Sequence, residues 1–285
     1  MIAFDVASLE RLGAAYPERP TLLRHCMAAH PLLQLDALAE LAERMRAIDV
    51  EYNRGDSPVG IDPAAMPGNG LSIAETIRSI EQCGSWMVLK FVEQDPVYRA
   101  LLEETLAGIA PLVDAATGPM LKKEGFIFIS SPHAVTPYHF DPEHNILLQI
   151  RGSKTMNIFP AGDERVAPGA LHEAFHMGGH RNLPWDESFA DAGKPFALTP
   201  GAAVYVPVKA PHWVKNGPEV SVSFSITWRS EWSFREEYAH GLNHHLRRLG
   251  LDPSPPRRYP HQNLVKSAAY RARLRAQRLA GDKQQ

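Results

Sequence analysis

The sequence predicts a mainly β domain, a sandwich or barrel, with helical segments on both sides of it. Three observations carry this. From about residue 124 the chain breaks into short β-rich runs: GFIFIS (125–130), NILLQIR (145–151), KTMNIFP (154–160), AAVYVPV (202–208) and VSVSFSITW (220–228). Turn residues punctuate them, notably Gly152-Ser153 and Pro200-Gly201, as expected of a compact all-β unit. Before and after this region, apolar residues recur at helical spacing instead.

Taken in order, residues 1–80 form a mixed region. PTLLRH (20–25) reads as a strand and LDALAELAERMRAI (35–48) as a helix, followed by the Pro/Gly-rich loop GDSPVGIDPAAMPGNG (55–70). SIAETIRSIEQ (72–82) opens with Ser72 and places Glu75 three residues later, a capping-box pattern. PVYRALLEETLAGIAPLV (96–113) reads as one amphipathic helix with Pro96 in its first turn. The interval 161–199 reads as a long loop-like insertion, a feature usually tied to function. Residues 233–285 have a helical pattern and are basic, with ten Lys/Arg against two Asp from Gly241 onward. The expected division is 1–80 packed on the barrel, 81–232 as the core, and 233–285 as a C-terminal helical extension.

The 285 residues are 44% hydrophobic and 22% charged, the balance of a soluble globular protein with a sizeable core. A net charge of −2 gives the molecule no strong pull toward nucleic acid or anionic membrane. Cys26 and Cys83 lie far apart and outside any CxxC pattern, which argues against a disulfide framework or a cysteine zinc site. The N-terminal stretch has no apolar signal-peptide core, and no apolar run approaches the ~18 residues of a membrane span. The expected compartment is the cytoplasm, with no membrane partner.

The chemistry concentrates in TPYHFDPEHN (136–145). His139 and Asp141 are two apart, so on a strand both point to one side. That pair alone suits an ordinary His–Asp hydrogen bond. His212, after an apolar strand and 71 positions beyond Asp141, completes the spacing of a 2-His-1-carboxylate facial triad. Such a triad leaves coordination positions open for a bidentate 2-oxo acid and dioxygen. Lys154 lies thirteen residues past Asp141. A lysine facing a barrel interior needs an anion, and the far carboxylate of 2-oxoglutarate is one; Thr136 can donate a hydrogen bond to it. Asn145 and Gln149 share the parity of the pair if the chain stays extended across Pro142, while His144 has the opposite parity. A plain structural hydrogen bond is the competing reading for Asn145.

The runs TPYHFDPEHNILLQIRGSKTMNIFP, PGAAVYVPVKAPHW and VSFSITW together resemble the cupin-like JmjC oxygenases, in particular the branch of the asparaginyl hydroxylase that inhibits hypoxia-inducible factor. The resemblance covers roughly residues 80–232. It implies a double-stranded β-helix (cupin, jelly-roll) core with flanking helices. It also implies iron ligands at His139, Asp141 and His212, cosubstrate contacts at Thr136 and Lys154, a cosubstrate-side polar group at Asn145, and an active-site aromatic at Trp228. Fe(II), 2-oxoglutarate and O2 are the implied cofactors and cosubstrates. The sequence departs from the family pattern at Ala202, after Pro200-Gly201, and at Ile226, where the asparaginyl hydroxylase has a polar residue. Trp86 occupies the region of the family's pocket tyrosine.

The expected activity is hydroxylation of a side chain in a protein or peptide. Nε-methyl-lysine demethylation, small-molecule hydroxylation and a non-catalytic ligand-binding cupin are the alternatives. His172, His176 and His180 share helical spacing, but Gly178-Gly179 interrupt it, so substrate contact or solvation is favoured over a zinc site. For the basic tail, a solvated face or a homodimer element is favoured over nucleic-acid binding.

Overall fold

The computed structural model describes residues 3–54, 70 and 73–281. Ser72 and most of the 55–70 loop lie outside the described residues. The leading elements are α1 (Val6–Ala15), β1 (Thr21–Arg24), α2 (Leu35–Arg44), β2 (Val50–Arg54), α3 (Ile73–Arg78), β3 (Ser85–Lys90), α4 (Pro96–Ala107) and α5 (Ala110–Thr117). The central elements are β4 (Leu121–Ser130), β5 (Val135–His139), β6 (His144–Arg151), β7 (Lys154–Ile158), α6 (Gly169–His176), β8 (Lys194–Leu198), β9 (Ala202–Val206), β10 (His212–Asn216) and β11 (Ser221–Arg229). The chain closes with α7 (Glu231–Arg248) and α8 (Leu264–Gly281).

Two expectations are corrected. The helix expected over 96–113 is two helices. Pro111 cannot extend α4 because it lacks an N–H, but it is accommodated in the first turn of α5. Asp95 caps α4 by accepting hydrogen bonds from the Val97 and Tyr98 amides. The insertion 161–199 is not loop-like throughout: it holds α6, a 3-10 segment (Glu187–Ala192) and β8. α6 ends at His176, and Gly178 follows with φ 95°, so His180 leaves the helical face as expected.

The strands form two antiparallel sheets. The larger runs β1-β9-β6-β11-β4-β3-β2 and the smaller β5-β10-β7-β8, giving the jelly-roll architecture expected. β6 and β11 show how the sequence dictates the two faces. Ile146, Leu148 and Ile150 on β6, with Val222, Phe224 and Ile226 on β11, pack outward in one core with α1, α2, α4 and α5. Burying each such side chain contributes about 1.5–3 kcal/mol. The intervening residues are Asn145, Leu147 and Gln149 on β6 and Ser221, Ser223, Ser225 and Thr227 on β11, and they turn into the barrel. Leu147 joins Met156, Ile158, Phe196, Leu198, Val204, Val206, Ala210 and Val214 in the apolar cluster between the sheets.

Polar groups on the inner face are paired with each other. Ser223 Oγ donates to Gln149 Oε1 (2.7 Å), and Gln149 Nε2 donates to Ser221 Oγ (2.9 Å) and the Arg151 carbonyl (2.6 Å). The outer face of the smaller sheet is covered by the insertion, where Tyr138, Phe140 and Phe159 meet Val166, Ala167 and Leu183.

Gly152, between β6 and β7, has φ 65°, and a Cβ there would sit inside van der Waals contact of the Val220 carbonyl. Gly152→Ala is expected to destabilise the protein by roughly 2 kcal/mol, read from the denaturant midpoint at unchanged slope. An unchanged midpoint would contradict this turn geometry.

Candidate active site

β10 is flanked by β5 and β7, so three strands carry the site side by side. In its register His212 opposes His139, Val214 opposes Thr136, and Asn216 opposes Lys154. Between the first two pairs the register slips: three steps on β5 match two on β10. Simple alternation would send Thr136 and His139 to opposite faces. The bulge turns both inward, because directly opposed residues share a face and Val214 belongs to the inner cluster.

His139, Asp141 and His212 bring three potential ligand atoms within 4.8 Å of one another. His212 Nε2 lies 3.7 Å from Asp141 Oδ2, and the two imidazole centroids are 4.2 Å apart. Burial holds both imidazoles below the usual histidine range, reinforced at His139 by His212 and opposed at both by Asp141. Neutral rings carry one N–H each. His139 Nδ1 lies 2.7 Å from the Pro137 carbonyl and His212 Nδ1 2.9 Å from the Ala210 carbonyl. A carbonyl only accepts, so each Nδ1–H donates and each Nε2 keeps its lone pair for a metal. Burial raises Asp141, but the Arg181 guanidinium beside it outweighs burial and holds the group ionised below the usual carboxylate range. Two neutral imidazoles and a carboxylate fit a divalent first-row metal such as Fe(II).

Further groups steer Asp141. Arg181 Nη1 donates to its Oδ1 at 2.7 Å, and Asn145 Nδ2 makes a long 3.5 Å contact with Oδ2. Asn145 is itself oriented by Ser225, whose hydroxyl donates to its Oδ1 at 2.8 Å. Arg181 belongs to the insertion and carries no pattern in the sequence that would have marked it. Its neighbour Asn182 bridges His139 on β5, and the Leu183 amide donates to the Tyr138 carbonyl at 2.8 Å. Nearby, Glu143 is pushed up to about 7, first by burial and then by the charge of Asp141.

Deeper in the barrel, Lys154 is 6% exposed and faces inward with Met156 and Ile158. Burial alone pulls its ammonium down to about 7. Among the described residues, neither the buried Asn216 Oδ1 beside it nor the buried Trp86 Nε1 has a hydrogen-bond partner. The Asn216 backbone N–H donates to the Ala134 carbonyl, and Trp86 packs on Ala134. The interior end of the site therefore collects polar groups without partners, as a site for a polar ligand requires. Asn216 was legible by parity, two and four residues beyond Val214 and His212, yet sequence reasoning passed over it.

Trp228 is a correction. Its side chain is fully buried on the outer face of β11, stacked near His144 (5.4 Å), Tyr16 (6.2 Å) and Tyr205 (6.4 Å). It shares the parity of Phe224 and Ile226 and cannot line the barrel. Ile226 faces the same way, so the inward positions are Ser225 and Thr227. His144 also turns outward, as its parity indicates, and accompanies Tyr205 Oη at 3.0 Å.

No protein-family model matches the chain. A 104-residue segment is 33% identical to Jumonji C domain-containing protein 5 of Drosophila melanogaster. The match takes in 32% of this chain and 24% of that protein, so the chain spans about a quarter of the curated relative it matches. The crystal structure of YcfD from Escherichia coli superposes with a TM-score of 0.51 at 18% identity, covering 96% of this chain and 69% of that one. A structure of YcfD described as a ribosomal oxygenase in complex with cobalt and 2-oxoglutarate gives a TM-score of 0.49 at 18% identity, over 95% and 68% of the two chains. The chain shares the YcfD fold, and the JmjC resemblance is borne out.

Trp228→Phe is expected to cost stability, about 1–3 kcal/mol, while leaving metal and 2-oxoglutarate affinity at wild-type values. Thermal unfolding and calorimetric titration separate the two. Weakened 2-oxoglutarate binding at unchanged stability would return Trp228 to the interior.

Proposed function

We propose that this JmjC-type cupin is an Fe(II)- and 2-oxoglutarate-dependent oxygenase that hydroxylates a side chain of a protein or peptide. The observation that carries the reading is the convergence of His139, Asp141 and His212 within 4.8 Å, with both Nε2 lone pairs directed by backbone carbonyls. Iron, 2-oxoglutarate and O2, when bound, would supply oxidation of a C–H bond to C–OH, one oxygen atom of O2 entering the product and the other the succinate released with CO2.

The chain's own residues do the positioning. The three ligands fix one face of the metal and leave the other open. Lys154 and Thr136 receive the distal carboxylate of the cosubstrate. Lys154 opposes Asn216, four residues along β10 from His212, or roughly 13 Å of strand. Asn216 and the Trp86 indole N–H add polar contacts at that end. Ser223 and Ser225 fix Gln149 and Asn145 on the inner face, and the apolar cluster around Leu147 and Val214 keeps water from it. The insertion reaches the metal ligands through Arg181, which supports its role as the surface a substrate meets. Exposed Leu249, Leu251, Leu264 and Val265 on the C-terminal segment support a homodimer through that region. No helix among the described residues is long and apolar enough to cross a membrane.

The test is succinate release from 2-oxoglutarate against a peptide library, with mass spectrometry for a gain of one oxygen. Wild-type turnover lost in Asp141→Ala is the expected result. Succinate release no greater than in Asp141→Ala, across the library, would overturn the reading.

A second outcome follows from Lys154. In the free protein its ammonium deprotonates as pH rises through about 7, whereas a bound carboxylate favours the charged form. Above that pH, binding must take up a proton. Affinity for 2-oxoglutarate should therefore fall by up to about tenfold per pH unit. Lys154→Met should weaken binding roughly 10–100-fold at neutral pH and flatten the profile. Calorimetry in two buffers of different ionisation enthalpy reads both. A pH-independent wild-type affinity would remove Lys154 from the cosubstrate site.

A further inference from the structure

We propose that Lys209 and Glu236, outside the metal site, act as a strut that sets the position of two of the three metal ligands. The inference rests on reading His139, Asp141 and His212 as those ligands.

The loop Pro207–Pro211 touches both Asp141 and His212. The Lys209 backbone N–H donates to the Asp141 carbonyl at 2.8 Å. The Ala210 carbonyl accepts the His212 Nδ1–H at 2.9 Å, which is the contact that aims Nε2 at the metal. The loop is closed by a turn in which the Ala210 amide donates to the Pro207 carbonyl at 3.0 Å. Lys209 is its third residue, with φ 57°, a position where glycine or asparagine is the unstrained choice. A lysine there is disfavoured by its backbone, and disfavoured again because its side chain is 3% exposed.

What offsets both is Glu236 on α7, whose Oε2 lies 3.3 Å from Lys209 Nζ and whose side chain is equally buried. Glu236 is held in turn. Its Oε1 accepts from Arg258 Nη1 at 2.8 Å, and Arg258 Nε donates to Glu18 Oε2 at 3.0 Å. Arg258 also lies over the Trp232 ring at 5.0 Å. The charges therefore run from the metal loop through α7 to the segment after α1, anchoring the loop to the helical layer. His172 on α6 adds a second brace, its ring 4.4 Å from Phe140 beside Asp141. Neither Lys209 nor Glu236 meets the reacting atoms; both are positioning residues.

The experiment uses the full chain, stripped of metal, titrated with Co(II) alone. Affinity, the visible Co(II) absorption spectrum and the melting temperature of the metal-free protein are read for each variant. Lys209→Gly keeps the N–H to Asp141 and relieves the positive φ, while Glu236→Gln keeps the shape and removes the charge. Each is expected to weaken Co(II) binding roughly 10–100-fold and to alter the spectrum. Glu236→Asp should recover part of the affinity, and Lys209→Gly with Glu236→Gln should be no weaker than either alone, because the pair acts as a unit. If Lys209→Gly and Glu236→Gln lower the melting temperature but keep wild-type affinity and spectrum, the pair is merely structural and the proposal is overturned. If the wild-type protein binds Co(II) no better than Asp141→Ala, the metal reading falls, and the strut with it.

Discussion

His139 on β5 and His212 on β10 face each other across an antiparallel pair whose register slips before Thr136 meets Val214. Both imidazoles hang from the same ladder and both Nδ1 atoms are tied to carbonyls two residues back, so their separation is set by backbone, not by rotamer choice. The bulge then brings Thr136 to the inner face, and β10 continues to Asn216 beside Lys154. Undoing that one slip would turn the Thr136 side outward relative to the metal ligands. Asp141 comes from beyond the strand end, and is accordingly the member of the triad with the most steering contacts.

A barrel with a polar interior has to satisfy what it buries. On the larger sheet it does so with small hydroxyls: Ser221, Ser223 and Ser225 serve Gln149 and Asn145, side chain to side chain. On the smaller sheet, Lys154, Asn216 and, nearby, Trp86 are left with less. An unpaired buried polar group costs about 1–3 kcal/mol, so these groups stand as a liability that a polar ligand relieves. The outer core of Ile, Leu, Phe and aromatic residues, shared with the flanking helices α1 to α5, is what makes that liability tolerable. Binding residues and stabilising residues thus alternate along the same strands.

Much of this was legible. The β6 alternation and the His-x-Asp pair follow from period-two spacing, the distant His212 from the pattern of a facial triad, and the interior lysine from the cost of burying charge. Trp228 shows how parity can be overlooked: Val222, Phe224 and Ile226 already mark the even face of β11 as apolar, and the serines mark the odd face as inward. The β-bulge was not legible, because nothing in Val135–His139 announces a slipped register. Nor were β2 and β3, since SWMVLK is nearly all apolar and lacks alternation. Arg181 was beyond reach for a different reason: its role depends on where a folded insertion returns to the sheet, a contact forty residues from Asp141.

That return has a consequence for how the protein can change. β5 is an edge strand of the smaller sheet, and an open edge offers unpaired amides and carbonyls to any passing chain. Residues 181–183 cover it by bonding to Tyr138, His139 and Phe140. The insertion is therefore a guard against aggregation. Three consecutive residues, Arg181, Asn182 and Leu183, thus close the sheet edge while the first of them also holds the Asp141 carboxylate, so one short stretch serves colloidal stability and the site at once.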